Sequence, residues 1–364
     1  YSDSHRVDQM SRRQVLLTVF AALFVASVGG TIVSSSDSDA DYTIRFSFLG
    51  SPEDEDYDGA LVFKQYVDSR SNGRAEVELF PSGQFCSNER ECLEGMQSGV
   101  LQVFMLTTGS LGTIFGPGQV LDLPYTFRDD AVAECVVDGP MIAELRSAVL
   151  GSGMPIRLMA VSNTGGWRNF ASTDKQIRSP ADIEGRKFRT ISAPVQQELV
   201  RQLGGNPTPV AWSEVYTALA TGVVEGTKNG IQDIVGMKLH EQIKFITLDG
   251  HSYMGGLWWF SEVTWQELPP DIQRIIYDGF QELKTVTRGV IKRREIDAYR
   301  EFQESGGTLY VPTVEEKLQF REAAGGMRDW YVEQYGSEWL MKLDAAIAAC
   351  EEDIDSAYDA AVSD

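Results

Sequence analysis

The sequence predicts a two-domain α/β protein in which one long helix spans both domains. Three observations carry this. Residues 42–106 run strand, helix, strand, helix, strand, the rhythm of an α/β domain with a largely parallel sheet. A helical apolar period recurs at Ile272, Ile275, Ile276, Phe280, Leu283, Val286, Val290, Ile291 and Ala298. The helix it implies, from Pro269–Pro270–Asp271 to Gly306–Gly307, is roughly 35 residues or about 50 Å long, more than one small domain needs. Finally, 364 residues leave room for two domains of about 100–200 residues each.

The N-terminal segment stands apart. Arg12–Arg13 precede an apolar run, Val15 to Val28, that is short for a span of about 20 residues. Gly29–Gly30 and the polar stretch Ser34 to Asp39 follow. This is the basic region, apolar core and polar exit of an export signal, with a single-pass anchor as the alternative. Ser11–Arg12–Arg13–Gln14–Val15–Leu16 also resembles a twin-arginine signal, which directs export in the folded state. No Cys follows the apolar run, which argues against a lipid anchor. Met10 is a candidate start, with Tyr1 to Gln9 as an upstream extension. Residues 1–40 are therefore set aside from the fold.

Tyr42 to Leu49 alternates as a first strand. Glu53 to Ser71 is a helix with Leu61, Val62 and Tyr66 on its apolar stripe, stopped at Asn72–Gly73. Ala75 to Phe80 is the second strand. Asn88 and Glu91, three apart, open a helix that runs to Gly99. Leu101 to Leu106 is the third strand. Thr107 to Gly118 leaves its carboxyl end and is either a ligand-facing loop, with Thr108 as the candidate contact, or an ordinary surface loop. Helices at Asp129–Val137 and Pro140–Val149 precede a strand from Pro155 to Ser162. Asn163 to Phe170 reads as an inter-domain crossing and places Trp167 and Arg168 there. Gly185 to Ile191 is a strand, Ala193 to Leu203 a helix, and Pro207 to Val210 a short strand. Trp212 to Thr221 is helical, Val223 to Asn229 a strand, and a helix starts near Ile231. Phe245 to Leu248 and Gly256 to Phe260 read as two separate strands. Beyond the long helix, Thr308 to Val311 is a strand and residues 317–361 are mostly helical.

The formal net charge of −21 argues against nucleic-acid binding, which wants a basic face. It also means that any anion site must be built from local Arg, Lys and helix N-termini. Cys86, Cys92, Cys135 and Cys350 allow three pairings in an exported chain. Pairing the near neighbours Cys86 and Cys92 leaves Cys135 to tie a mid-chain helix to Cys350; buried free thiols are the alternative. The sequence has no HExxH, GxSxG, P-loop or strand-borne GxGxxG, and its histidines are only His5, His240 and His251. No enzyme, metal or cofactor is called for.

The informative residues are cationic and aromatic. Arg189 sits between Phe188 and Thr190 in an apolar strand, where a guanidinium is costly without an anionic partner, internal or ligand. Arg offers a planar fork that matches a carboxylate bidentately. Trp212, at a helix start, either stacks on a ligand or fills the core. Trp258 and Trp259 point to opposite faces of a strand, one into the core and the other, Trp258 as the candidate, toward a cleft. Lys228 and Asn229 end a strand at the sheet edge where ligands of open α/β sheets sit.

Several motifs, in order, carry a resemblance over about residues 41–350: Phe80–Pro81–Ser82–Gly83–Gln84, Asn88–Glu89–Arg90, Leu121–Asp122–Leu123–Pro124–Tyr125, Gly166–Trp167–Arg168, Gly185–Arg186–Lys187–Phe188–Arg189, Trp212–Ser213–Glu214–Val215–Tyr216 and Thr221–Gly222–Val223–Val224–Glu225–Gly226. With these the chain resembles the substrate-binding proteins of tripartite ATP-independent periplasmic (TRAP) transporters, DctP type. The resemblance implies a periplasmic binding protein fold whose two domains close on a small organic acid, a mono- or dicarboxylate, and deliver it to a two-component membrane permease. It implies Arg189 as the partner of the ligand carboxylate, Arg168 as a second contact, Trp212 packed on the ligand and Asn229 bonded to it. Lys228 and Gly230 depart from the family pattern. The expected domains are 41–165 with about 254–290, and 166–253 with about 291–350, then a tail at 351–364. A monomer in the periplasm is expected; an exported enzyme or an ABC-type receptor are the alternatives.

Overall fold

In the computed structural model, which describes residues 40–363, the first half opens with β1 (Tyr42–Ser47), α1 (Glu55–Arg70), β2 (Ala75–Phe80), α2 (Glu89–Gln97) and β3 (Val103–Thr107). The export signal lies outside the described residues. Two 3-10 turns, Thr108–Thr113 and Gly116–Asp122, lead to α3 (Asp130–Asp138) and α4 (Pro140–Gly151). Then come β4 (Ile156–Ser172), β5 (Lys187–Thr190), α5 (Pro194–Gln202), β6 (Asn206–Pro209), α6 (Val215–Ala220), β7 (Gly226–Asn229) and α7 (Ile231–Gly236). β8 (Phe245–Ser261), α8 (Glu262–Glu267), α9 (Pro270–Glu304), β9 (Thr308–Tyr310), α10 (Val314–Ala323), α11 (Met327–Tyr335) and α12 (Glu338–Val362) complete the chain.

The strands form one mixed sheet in the order β2-β1-β3-β8-β4-β7-β5-β6, with β9 on β8. Its two halves share β4 and β8, each 17 residues long and mutually antiparallel. One half sets β2, β1 and β3, mutually parallel, against residues 256–260 of β8. The other sets β7, with β5 and β6 parallel beyond it, against residues 169–172 of β4, and β9 against residues 245–247 of β8. The β4–β8 register is interrupted between Asn163 and Trp167, where Gly165 and Gly166 both take φ +79. Only glycine adopts that left-handed backbone at little cost. The predicted crossing is thus a bulged stretch inside one continuous strand. The two strands expected at 245–248 and 256–260 are likewise one.

The long helix is as predicted. α9 buries Ile272, Ile276, Phe280 and Leu283 against Phe46, Phe63 and Trp258 of the first half. Its C-terminal turns bury Ala298 and Phe302 against Ile231, Ile234 and Ile246 of the second. It therefore braces both domains. A third cluster covers the other sheet face, where Trp259, Tyr253, Phe170 and Phe188 meet α3, α4, α5 and α12. In α1 the buried stripe is Ala60, Phe63 and Val67; Leu61 points to solvent and Val62 and Tyr66 lie at the margin. Both neighbour and distant cysteines pair, Cys86 with Cys92 and Cys135 with Cys350, so the second bond staples α12 onto α3. Residues 40–363 pack as one compact unit, and no helix among them is long and apolar enough to cross a membrane.

Candidate functional site

A cavity of about 610 Å³ lies between the two sheet halves. Leu93 of α2 and Met105 and Thr107 of β3 line it from the first half. Arg189, Ile191, Val210, Trp212 and Asn229 line it from the second, and Thr164 and Arg168 line it from the crossing strand.

Arg189 leaves β5 into this space. It is 4% exposed, and its Nε donates to the Val210 carbonyl at 3.0 Å. Among the described residues its terminal nitrogens donate to no protein acceptor and it pairs with no carboxylate. Burial, with the charge of Arg168 beside it, pulls its guanidinium down to about 10. The guanidinium carbon sits 5.5 Å from the centroid of the Trp212 ring, a cation–π contact.

Arg168, on β4, is equally buried. Its Nη1 donates to the Lys228 carbonyl at 3.1 Å, and its Nε lies 3.8 Å from Asp122 Oδ1 without a hydrogen bond. A Cβ on Gly109 would come within 3.1 Å of Arg168 Nη2, so the bare glycine leaves the guanidinium its room. Two buried cations thus open on one cavity, with the counter-charges Glu89 and Asp233 near them. An anion entering here meets donors already paid for in desolvation.

Asn229 ends β7 facing the cavity. Its Nδ2 donates to Asp233 Oδ2 at 2.8 Å, and its Oδ1 accepts from Thr227 Oγ1 at 2.7 Å. The wall also carries carboxyls. Asp54 and Asp56, at the start of α1, and Asp233 of α7 all line the cavity. Burial raises all three carboxyls, and Asp233 acts on both Asp54 and Asp56. Glu89, at the N-terminus of α2, accepts from Ser110 at 2.6 Å and is also raised by burial.

Four expected residues lie elsewhere. Lys228 precedes Asn229 in an extended strand, so its side chain takes the other face. Its Nζ donates to the carbonyl and to Oε1 of Gln196, at 2.9 and 2.6 Å, and burial pulls it down to about 7. It stands behind Arg168 rather than in the cavity. Trp167 likewise turns away, donating from Nε1 to Asp130 at 2.6 Å and packing edge-on against Tyr253. Thr108 is buried against β8, its Oγ1 bonded to the Tyr253 carbonyl at 3.3 Å; its neighbour Thr107 lines the cavity instead. Trp258 is fully buried among Phe46 and Phe48, with Nε1 donating to Ser162 at 2.9 Å. Helices cover both sheet faces, so both tryptophans of the pair are core.

Sequence reasoning missed Asp54, Asp56, Glu89 and Asp233. The signal for Glu89 was present, because the Asn88 side chain caps Glu91 N and fixes where α2 begins. Neither described histidine reaches the cavity. His251 is buried against Phe170 and bonded to Asp249 at 2.8 Å, and His240 lies 3.9 Å from Glu301. Among the described residues no cluster of His, Cys, Asp and Glu is arranged to hold a metal ion.

The chain is similar to known proteins over most of its length. It is 27% identical over 332 residues to the 2,3-diketo-L-gulonate-binding periplasmic protein YiaO of Escherichia coli, covering 90% of this chain and 98% of the relative. It is 28% identical over 310 residues to the C4-dicarboxylate-binding periplasmic protein DctP of Rhodobacter capsulatus, covering 84% and 91%. A crystal structure of a TRAP periplasmic solute binding protein from Sulfurospirillum deleyianum, with bound succinate, superposes with a TM-score of 0.79 at 26% identity, covering 84% of this chain and 99% of the other. Residues 46–334 match the DctP family, the bacterial extracellular solute-binding proteins of family 7, and the chain belongs to that family.

Proposed function

We propose that this protein is the extracytoplasmic receptor of a TRAP-type permease and that it binds a small organic acid anion between its two domains. The observation that carries the reading is Arg189. It is a buried guanidinium with terminal N–H groups aimed into a cavity and no carboxylate of its own. A ligand carboxylate completes it bidentately, with Arg168 as the second donor. Asn229 and the Trp212 ring complete the wall. Residues 41–165 with about 254–290 act as one domain and 166–253 with about 291–350 as the other, closing by hinge motion over the ligand. The receptor works in the periplasm as a monomer, is exported by the twin-arginine route, and releases its ligand chemically unchanged.

The test is isothermal calorimetry of the exported chain against organic acids found by a thermal-shift screen. Removing one side of a buried charged pair costs about 2–5 kcal/mol. Arg189→Ala should therefore weaken binding by roughly two to four decades with the fold intact. Unchanged affinity in that variant overturns the assignment, and turnover of the bound acid overturns the receptor reading.

A further inference from the structure

The cavity wall carries both signs of charge. Arg168 and Arg189 form one group. Asp54 and Asp56 at the start of α1 and Asp233 of α7 form the other, which is built from both halves, with Asp233 close enough to act on both guanidinia. None of these three carboxyls is ion-paired among the described residues. Arg294, which acts on Asp54, is committed to Asp58 at 2.6 Å.

Their hydrogen bonds are only partly filled. Asp54 Oδ2 accepts from Ser51 N at 2.6 Å, Asp56 Oδ2 from Thr164 Oγ1 at 2.7 Å, and Asp233 Oδ2 from Asn229. Asp56 is 2% exposed, yet its Oδ1 has no partner. A buried carboxylate oxygen without a donor is expensive. Here it borders a ligand cavity. Capping of α1 does not account for the group, since Asp54, at the N-cap, makes no side-chain cap bond.

A dicarboxylate would bring a second negative charge to this end. The further guanidinium on the wall, Arg90, is 89% exposed and paired with Glu94 at 3.0 Å. A hydroxyl would satisfy Asp56 Oδ1 and leave the repulsion among the three carboxyls untouched. An ammonium or amidinium supplies both donors and charge.

Resting on the receptor reading above, we infer that the ligand is a carboxylate bearing a cationic nitrogen at its far end, held by Asp54, Asp56 and Asp233. The nitrogen bridges α1 and α7 while the carboxylate sits on Arg168 and Arg189. The nitrogen end then links the two halves, since both arginines lie in residues 166–253. Asp54 and Asp56, raised by burial and by the charge of Asp233, are relieved of that repulsion when the cation arrives.

The experiment compares acids of equal chain length by calorimetry on the exported chain at neutral pH. γ-Aminobutyrate, succinate and γ-hydroxybutyrate form one set, and the homologues one carbon shorter and one and two carbons longer form the others. In the set that fits, the amino acid should bind about ten-fold tighter or more than its diacid and hydroxy acid. Asp56→Asn should erase that preference. A diacid or hydroxy acid that binds as tightly as the amino acid overturns this inference and leaves the receptor reading standing. If no member of any set binds, this inference falls and the receptor reading still rests on the wider screen of organic acids. Should an Asp variant fail to fold, the ranking on the unaltered protein decides alone.

Discussion

The guanidinium of Arg189 lies over the indole of Trp212, 5.5 Å from its centroid. The ring is therefore the floor under this buried charge as well as a wall of the cavity. A desolvated cation–π contact contributes about 2 kcal/mol. Trp212→Ala should weaken binding of a carboxylate by about ten-fold or more, whereas Trp212→Phe should keep most of the affinity. Calorimetry on the two variants checks this, and equal losses would show that a phenyl face cannot stand in for the indole, against the cation–π account.

Stability should pass through a minimum near neutral pH. Burial and like charge raise Asp54 and Asp56 from 3.8 to about 7 and about 8. A raised carboxyl holds its proton in the folded state, so its contribution is lost as pH climbs from about 4 to about 8. Lys228 is lowered from 10.5 to about 7, so the folded chain binds fewer protons than the unfolded one above that pH. Its contribution rises with pH from about 7 to about 10.5. Denaturant unfolding of the ligand-free protein across this range should fall and then rise. Asp56→Asn should flatten the falling limb, and Lys228→Met the rising one.

How legible was this site? Arg189 could be found because a guanidinium inside an apolar run is anomalous by its cost alone, and Arg168 through its place in the Gly-rich crossing and the family resemblance. Lys228 and Asn229 read together as the end of a strand, but the two-residue period of a strand cannot send both into one cavity. Reading them as a pair ignored that alternation. The long helix was legible because its period persists through nine apolar positions, Ile272 to Ala298, about seven turns that face both domains. β8 was split in two because Asp249–Gly250–His251–Ser252 looks like a turn. In the structure Asp249 accepts from Phe170 N at 3.1 Å and pairs with His251, so distant partners keep a polar stretch inside a buried strand. The acidic group escaped notice because carboxylates are common in so acidic a chain, and only burial separates Asp56 from the rest.

Gly230 cannot be replaced cheaply. A Cβ there would lie 1.6 Å from the Gly165 carbonyl oxygen, where the turn into α7 meets the crossing strand. Gly230→Ala should destabilise the protein by about 1–3 kcal/mol, as overpacking does, and should also weaken ligand binding, since Asn229 and Asp233 flank the displaced turn. Chemical denaturation with calorimetry separates the two effects. An alanine variant with native stability would mean that the two segments part freely.

The bond between Cys135 and Cys350 closes a sequence separation of 215 residues far from the cavity. Removing it as Cys135→Ser with Cys350→Ser should cost about 2–4 kcal/mol of stability. Ligand affinity should not change, because neither α3 nor α12 supplies a residue to the cavity wall. A fall in affinity would mean that α12 helps set the spacing of the domains.

The interruption of the β4–β8 ladder at residues 164–166 has a mechanical meaning. The domains are two ends of the same pair of strands, not bodies on a slack tether. Where the ladder is missing, the backbone is held by side chains. Gly165 N donates to Glu55 at 2.6 Å, Gly166 N to Asn163 at 2.9 Å, and Thr164 Oγ1 to Asp56. Bending at that point would exchange a few such bonds, while the cluster that joins Phe104 and Leu111 to Phe170, Phe188 and Leu199 resists it. The pace at which solute leaves would then be set by the compliance of three residues. Two of them, Thr164 and Gly165, are gripped by Asp56 and Glu55 at the start of α1, where the cavity begins; on the reading proposed above, the grip on the joint and the grip on the cargo would loosen together.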